Sequence, residues 1–475
     1  MPESTETNPH HGRPRDAESR ALADFAAAID TDRLPAEVVE RAVMVIADSL
    51  ACGVAGCSVA PEIVRPIRRY ALAVGGTAQA SLLAGGERVA QPLAALANAT
   101  AMHTIDYDDT FMPAIGHFGS SVTGAALAAT ESRGGSGADL IAAAVAGFEI
   151  GGKVGRSVMP GHYERWHSTA SLGGPAAAAA AARGLGLNAE ATEIAIGFAA
   201  DDTGGTRYCI KVGDFSKSLH AGSAAQKGTQ GAMLAAAGAM GPTGYLEHPV
   251  GFFWAYSEER EPGRLASEVE QLGCRWEILE DDLKAHPCIL ASHCGIEATI
   301  AIVSEYDLKP DEIERISIVQ PYFSENHGLN YEPDSAMAAR LSVPFCIAVA
   351  AIDRRVGLEQ FEHDRFFEPE VRALMRRISS TPDPNLNERF PAGTPAIVTI
   401  ESKTGASWER EIVVPKGSHL RPFTAVEHRE KLTELLGRTL DPGRVEAALA
   451  LFAELPELDS VAELTAALTA DGWSE

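Results

Sequence analysis

The chain has 475 residues, with 40 Lys and Arg against 65 Asp and Glu, and a formal net charge of -25. Its 45% hydrophobic and 22% charged residues are globular usage, which excludes a wholly disordered or collagen-like chain. The acidic balance excludes a nucleic-acid binder, which needs clustered Lys and Arg to release counterions from phosphates.

Residues 1–17 are polar and read as a mobile tail, with no apolar stretch to serve as a signal peptide. Of 79 alanines, 54 fall before residue 251, and over that region the pattern is helical almost throughout. Residues 36–50 place apolar side chains three and four apart, the period of an amphipathic helix. Further helices are predicted over 20–29, 61–73, 90–104, 120–132, 137–154, 171–184, 188–201 and 221–238. Blocks of small residues in three of them, such as Ala176 to Ala182, let helix backbones approach closely. The longest uncharged runs, 110–130 and 228–246, are Ala-, Gly-, Ser- and Thr-rich and each contains a proline, so neither reads as a membrane span. The chain reads as cytoplasmic, with no membrane partner.

After about residue 257 the texture changes. Residues 312–320 alternate apolar and polar like a half-buried strand, and 396–402 with 407–415 read as a hairpin around a Gly-containing turn. Helices are predicted near 292–305, 335–353 and 368–378, and the chain turns helical again over 425–470. The predicted fold is mainly α: a large all-helical domain built from both chain ends (18–265 plus 416–475), with an inserted smaller α+β lid domain (266–415). Seven cysteines, an odd number without a Cys-x-x-Cys pair, suggest neither a disulfide framework nor a Cys-rich zinc site.

Familiar catalytic signatures are missing: no Gly-x-Ser-x-Gly elbow, no P-loop, no His-Glu-x-x-His. His162 and His167 are five residues apart, about 140° around a helix, so they cannot share one metal on a helix face. What remains is four clusters of polar residues in apolar, glycine-rich surroundings. The first runs from His103 through Asp106, Asp108, Asp109 and Thr110 to His117; if the preceding helix continues, Asp106 and Thr110 share a face. The bland reading makes Asp108 or Asp109 a cap or loop carboxylate. The second is His167 and the residues after it. The third is Lys217 with His220, at the start of an apolar helix in a chain with only nine lysines, a placement suited to an anionic ligand. The fourth spans Lys284, His286 and His293. Any one of these histidines alone is better read as a satisfied core residue; four mixed clusters point to a site.

The order and spacing of these clusters resemble the MmgE/PrpD family, which includes 2-methylcitrate dehydratases, cis-aconitate decarboxylases and iminodisuccinate epimerases. The likeness runs from about Leu22 to Leu468 and includes Asp48-Ser-Leu-Ala-Cys-Gly and Ala339-Arg-Leu-Ser-Val-Pro-Phe345. The resemblance implies a helical domain with an α+β lid, an active site in the cleft between them, and a homodimer. By the same resemblance Asp106, Thr110, His117, His167, Lys217, His220 and Lys284 match active-site positions, with His117 one residue later than in the decarboxylase branch. This chain departs where that branch has a histidine five residues after the lysine: Ile289 stands there. Leu290 follows where many members carry a basic residue, and Phe345 replaces a frequent tyrosine. These changes imply a less polar cleft wall, and a substrate with fewer carboxylates or an apolar substituent.

The implied chemistry passes through carbanion or enolate character beside a carboxylate, so it needs proton-transfer groups and cations. His117 and His167 are assigned to proton transfer, Asp106 assists them, and Lys217 and Lys284 take carboxylates; Thr110, His220 and His293 are candidate substrate-binding residues. No cofactor and no metal are expected, and the partner is a small anionic carboxylic acid. A hydro-lyase of the 2-methylcitrate dehydratase kind is placed first, an epimerase or decarboxylase second, and a non-catalytic carboxylate-binding protein third.

Overall fold

Alanine is the strongest helix former and the smallest side chain that keeps a helix stable, so an alanine-walled helix can sit where several others converge. In the computed structural model, which describes residues 18–258, 263–321, 328–389 and 393–470, that is the place of the helix Gly173–Gly184. Ala176 to Ala182 are all fully buried. The helix packs against Phe118–Arg133, Gly137–Val158, Ala189–Asp201 and Ser216–Ala236. The crossing with Ser216–Ala236 is closest at Gly228, where a Cβ would lie 2.5 Å from the Ala178 nitrogen.

One hydrophobic core joins residues from Leu22 to Leu283 with residues from Leu432 to Leu468. The late helices Ala425–Leu436, Pro442–Ala453 and Val461–Ala467 thus pack with the early ones, and Ala425–Leu436 lies against Ala36–Val59. Ala36–Val59 is long and apolar enough to cross a membrane by length and composition, but 78% of its apolar window is buried inside the fold. Gly134, with φ +69°, ends Phe118–Arg133, and Ser136 caps Gly137–Val158, so Gly134-Gly-Ser-Gly137 is the turn its sequence predicts.

A second core runs from Cys288 to Ile400. Its four-stranded sheet has the spatial order Ile378–Pro382, Ile313–Gln320, Ala396–Ser402, Ser407–Ile412. The first pair is parallel and the others antiparallel. Helices His293–Glu305 and Val343–Asp353 pack with this sheet in the same core.

The structure corrects several expectations. The run 368–378 is a helix only over Pro369–Met375, and an edge strand begins at Ile378. The helix over 335–353 breaks into Ala336–Arg340 and Val343–Asp353, because the Ser342 hydroxyl accepts the Phe345 N–H and Pro344 cannot donate. A two-stranded ribbon, Ala80–Ser81 with Arg88–Val89, interrupts the helical half. The helix over 221–238 begins at Ser216, which places Lys217 and His220 in its first two turns. The tail 1–17 lies outside the described residues.

Candidate active site

The helix Gln91–His103 stops at His103, so Asp106 and Thr110 do not share a helix face as the sequence suggested. Asp106 instead adopts φ +53°, a left-handed conformation that an Asp tolerates at some cost. That turn directs its carboxylate to two ammonium groups. Lys217 Nζ donates to Asp106 Oδ1 at 3.0 Å, and Lys284 Nζ donates to the same oxygen at 2.5 Å and to the Asp106 carbonyl at 3.2 Å. All three side chains are buried. Burial alone would raise the Asp106 pKa, but the two ammoniums hold it well below the usual carboxylate range. Burial likewise opposes the charge on Lys284, yet Asp106 and Asp108 keep its pKa above the ordinary lysine value.

Lys217 also donates to His103 Nε2 at 3.1 Å. An ammonium can only donate, so Nε2 is the accepting nitrogen and Nδ1 carries the ring proton, which goes to Asp108 Oδ2 at 2.7 Å. Asp108, His103, Lys217 and Asp106 therefore form one buried chain with a fixed tautomer. The sequence places His103 and Asp108 in the first cluster but gives them no role, because nothing in the spacing says that a Lys more than a hundred residues later closes the chain.

His117 precedes Phe118–Arg133, and its ring Nδ1 lies 2.6 Å from the Asp109 carbonyl. A carbonyl only accepts, so Nδ1 carries the proton and Nε2 keeps its lone pair. Burial first, then Lys284 and Lys217, hold the His117 pKa well below the ordinary value. His167, pushed the same way by burial and then by His220 and Lys217, faces His220 with Nδ1 to Nδ1 at 2.9 Å. One of those two nitrogens donates and the other accepts.

The segments carrying these groups are tied together behind the site. Thr110 and Asp282 exchange both backbone hydrogen bonds, at 2.7 and 3.0 Å, which joins the Asp106–His117 segment to the one that delivers Lys284. Lys431, from the late helices, donates to Asp48 Oδ2 at 3.0 Å and to the Tyr107 carbonyl at 2.9 Å. Arg340 donates to the Pro287 carbonyl at 3.0 Å and its own carbonyl accepts from the Ile289 N–H, fixing the 287–291 segment.

These elements enclose a cavity with about 560 Å³ of space not filled by protein, part of it open to solvent. Asp106, Thr110, His117, His167, Lys217 and Lys284 all line it, together with Tyr163, whose phenol burial pushes up to about 12. Six of the eight predicted site residues therefore meet in one place. The other two stand elsewhere: His220 sits behind His167, and His293 is buried between the Cys288 carbonyl and the His286 ring, 5.1 Å away. Much of the remaining lining is apolar, including Ile115, Ile210, Ile289, Leu290 and Leu341. Ile115 is a β-branched residue held at φ +48°, at the tip of a loop closed by the Phe111–Gly116 pair. Phe345, expected on the cleft wall, instead packs on Phe361 at 5.5 Å inside the second core, so its lack of a hydroxyl does not alter this cavity.

Two groups of donor atoms among the described residues lie within metal-ligand reach, His103–Asp108–His117 and His167–Cys209–His220. The His162–His167 pair is not one of them, since His162 spends Nδ1 on the Tyr256 carbonyl and Nε2 on Ser171.

Residues 20–265 match the MmgE/PrpD N-terminal domain and residues 286–457 the MmgE/PrpD C-terminal domain. The chain is 27% identical over 467 residues to a cis-aconitate decarboxylase of Aspergillus terreus, covering 93% of this chain and 94% of that protein. It is also similar to the cis-aconitate decarboxylases of Mus musculus (25%, covering 94% and 92%) and Homo sapiens (26%, covering 94% and 93%). With two adjoining family domains spanning most of its length and a cavity lined from both, the chain belongs to the MmgE/PrpD family.

Proposed function

We propose that the cavity is the active site of a lyase that takes a small carboxylic acid through a carbanion-like state beside a carboxylate, and that the bond broken is a C–C bond, with release of carbon dioxide. The observation that carries this reading is the pairing of Lys217 and Lys284 on one carboxylate, Asp106, in a cavity that Ile289, Leu290 and Leu341 also line. Substrate carboxylates compete with Asp106 for the two ammoniums, which also hold the negative charge that grows as the electron pair is left on carbon. A carboxylate turned to the apolar wall is poorly solvated and loses that charge on leaving as CO2. His117 or His167 delivers the proton that takes its place, and Thr110 orients the acid. The balance is one carboxylate and one proton consumed, one CO2 and one C–H bond formed.

His220 acts through His167, and His293 through the 286–291 segment, as positioning residues. The sequence favoured a hydro-lyase, and loss of water from a hydroxy acid stays the second reading, because the Tyr163 phenol stays protonated at neutral pH and is suited to protonating a departing hydroxyl. The two cores are read as a helical body and an α+β lid over the cavity. A homodimer belongs to the same reading, supported by exposed apolar side chains from one stretch, among them Tyr208, Val212, Leu234, Met240, Val250 and Trp254; light scattering on the purified protein tests it.

The reaction is tested by incubating the protein with cis-aconitate, citrate, 2-methylcitrate and iminodisuccinate in heavy water and following products by NMR. Release of CO2 with deuterium appearing on the adjacent carbon is the expected result. Water loss would replace it with the hydro-lyase reading and stereochemical inversion with an epimerase, while inertness toward all four acids would overturn it.

A further inference from the structure

The mechanism above leaves Cys209 unused, although it is buried beside the site. Its Sγ lies 3.7 Å from His220 Nδ1, which in turn lies 2.9 Å from His167 Nδ1, and the three donor atoms all fall within 4.8 Å of one another. We propose that Cys209, His167 and His220 form a binding site for a borderline-soft divalent cation of the zinc type, and that filling it switches the neighbouring active site off.

The donor set suits the ion. Thiolate and imidazole are the preferred ligands of zinc, with Zn–S near 2.3 Å and Zn–N near 2.0–2.1 Å. At tetrahedral angles these lengths place two nitrogens about 3.3 Å apart and a nitrogen about 3.6 Å from the sulfur. The observed 2.9 and 3.7 Å require the two rings to part by a few tenths of an ångström. Three protein ligands leave a fourth position for water, the arrangement of an open zinc site. The other donor group is less suited: His103 and His117 already commit Nδ1 to Asp108 and to the Asp109 carbonyl, and the Lys217 ammonium occupies His103 Nε2.

The backbone brings the ligands together from the turn at His167, the short helix Tyr208–Val212 and the start of the long helix Ser216–Ala236. The His167 N–H donates to the Gly205 carbonyl at 2.9 Å, and Trp166 pairs with Thr206, so the His167 turn is pinned to the segment that leads into Tyr208–Val212, which carries Cys209. Gly205 sits at φ +138°, and a Cβ there would lie 2.6 Å from the Ala170 Cβ and 3.1 Å from His220 Nε2. The close seating of the His220 ring depends on that missing side chain. The ion reaches the site from the cavity, which His167 and Ile210 line.

Binding is balanced as Zn²⁺ plus one thiol and two neutral imidazoles giving the complex and one released proton. A metal on His167 Nδ1 fixes the ring proton on Nε2, so the ring can donate but no longer accept, and it cannot complete a proton-transfer cycle. The inhibition therefore rests on the assignment of His167 to proton transfer; the binding does not.

The test uses the chelator-stripped full chain, titrated with Co²⁺ for its thiolate-to-metal charge-transfer band and with Zn²⁺ against a chromophoric chelator, with turnover followed in parallel. The expected result is one metal per chain with the thiolate band, turnover lost as Zn²⁺ is added, and recovery with EDTA. Cys209→Ala keeps the basal turnover, loses the band, weakens Zn²⁺ by more than the roughly 100-fold that an outer-shell partner is worth, and makes turnover resistant to zinc. His220→Gln weakens the ion in the same way. Wild-type binding without the thiolate band, or unchanged affinity in Cys209→Ala, would overturn the site. Stoichiometric binding with the band but undiminished turnover would overturn the switch, and the role of His167 with it.

Discussion

Replacing Lys217 by methionine tests the electrostatic centre of the site most directly. The side chain keeps an unbranched apolar stem, one atom shorter, and loses one positive charge, 3.0 Å from Asp106 and 3.1 Å from His103 Nε2. A substrate carboxylate about 4 Å from that ammonium, at the effective dielectric of about 20 that suits partly buried pairs, is worth about 4 kcal/mol. At about 1.4 kcal/mol per decade this is about a 10³-fold loss in kcat/KM. The cost to folding is smaller. Asp106 keeps Lys284, so no charge is stranded, and the lost hydrogen bonds amount to about 1–3 kcal/mol. The assay is kcat/KM on whichever acid turns over, with thermal unfolding and circular dichroism run beside it. A folded Lys217→Met chain within about tenfold of wild-type kcat/KM would refute the reasoning. Lys284→Met is the contrast. Asp106 then keeps Lys217, but the lost ammonium also held the Asp106 carbonyl, so the stability cost should exceed that of Lys217→Met by about 1 kcal/mol, with activity lost as well.

Ile289→His puts a donor into the apolar wall, and a charge-assisted hydrogen bond of about 1.5–3 kcal/mol should raise kcat/KM for a tricarboxylate about 10- to 100-fold relative to a dicarboxylate; an unchanged ratio would remove Ile289 from specificity. Burial lowers the His162 pKa to about 4, so between the ordinary value of 6.5 and 4 the folded chain binds fewer protons than the unfolded one, and stability falls as pH falls through that window. This one residue accounts for about 3 kcal/mol, and urea midpoints at several pH values should show that much less pH dependence in His162→Gln, whose amide still donates to Tyr256. Gly228→Ala should cost about 1–3 kcal/mol of unfolding free energy, because its methyl meets backbone atoms of Ala177 and Ala178 that cannot swing away; a Tm equal to wild type would show the helix crossing to be looser than 2.5 Å implies.

Helix periodicity and small-residue blocks carried most of the fold, since both depend on local sequence: the predicted helices over 61–73, 137–154 and 188–201 are Pro61–Val74, Gly137–Val158 and Ala189–Asp201. What escaped depends on distant partners. The strand Ile378–Pro382 is specified by pairing with Ile313–Gln320, more than sixty residues earlier, and its own five residues carry only a weak pattern. The clusters at 103–117, 167, 217 and 284 were legible because His, Lys and Asp are rare in such apolar surroundings. Their connections were not: Asp106 turns to Lys217 and Lys284 through a positive φ that no periodicity announces, and Phe345 occupied the expected sequence position but a different face.

The arrangement of charge also explains why these polar groups can stay buried without substrate. Two ammoniums in a dry cavity would repel each other, and Asp106 offsets this by pairing with both. Among the described residues its second oxygen finds no hydrogen-bond donor, so Asp106 is an incomplete partner, held in a strained backbone conformation, and an arriving carboxylate with two good oxygens can displace it. Burial, with Lys284 and Lys217 beside His117 and with His220 and Lys217 beside His167, holds both histidines well below their ordinary pKa. An anionic acid that neutralises Lys217 and Lys284 removes the lysine share of that pressure, from both ammoniums at His117 and from Lys217 at His167, and so moves both rings toward the proton-donating form. In this scheme Asp106→Asn is more damaging than a lost hydrogen bond: the ammoniums lose their resting counter-charge, the lysines are pressed toward their neutral forms, and substrate binding weakens as the pH rises, the reverse of a site in which Asp106 merely repels the substrate.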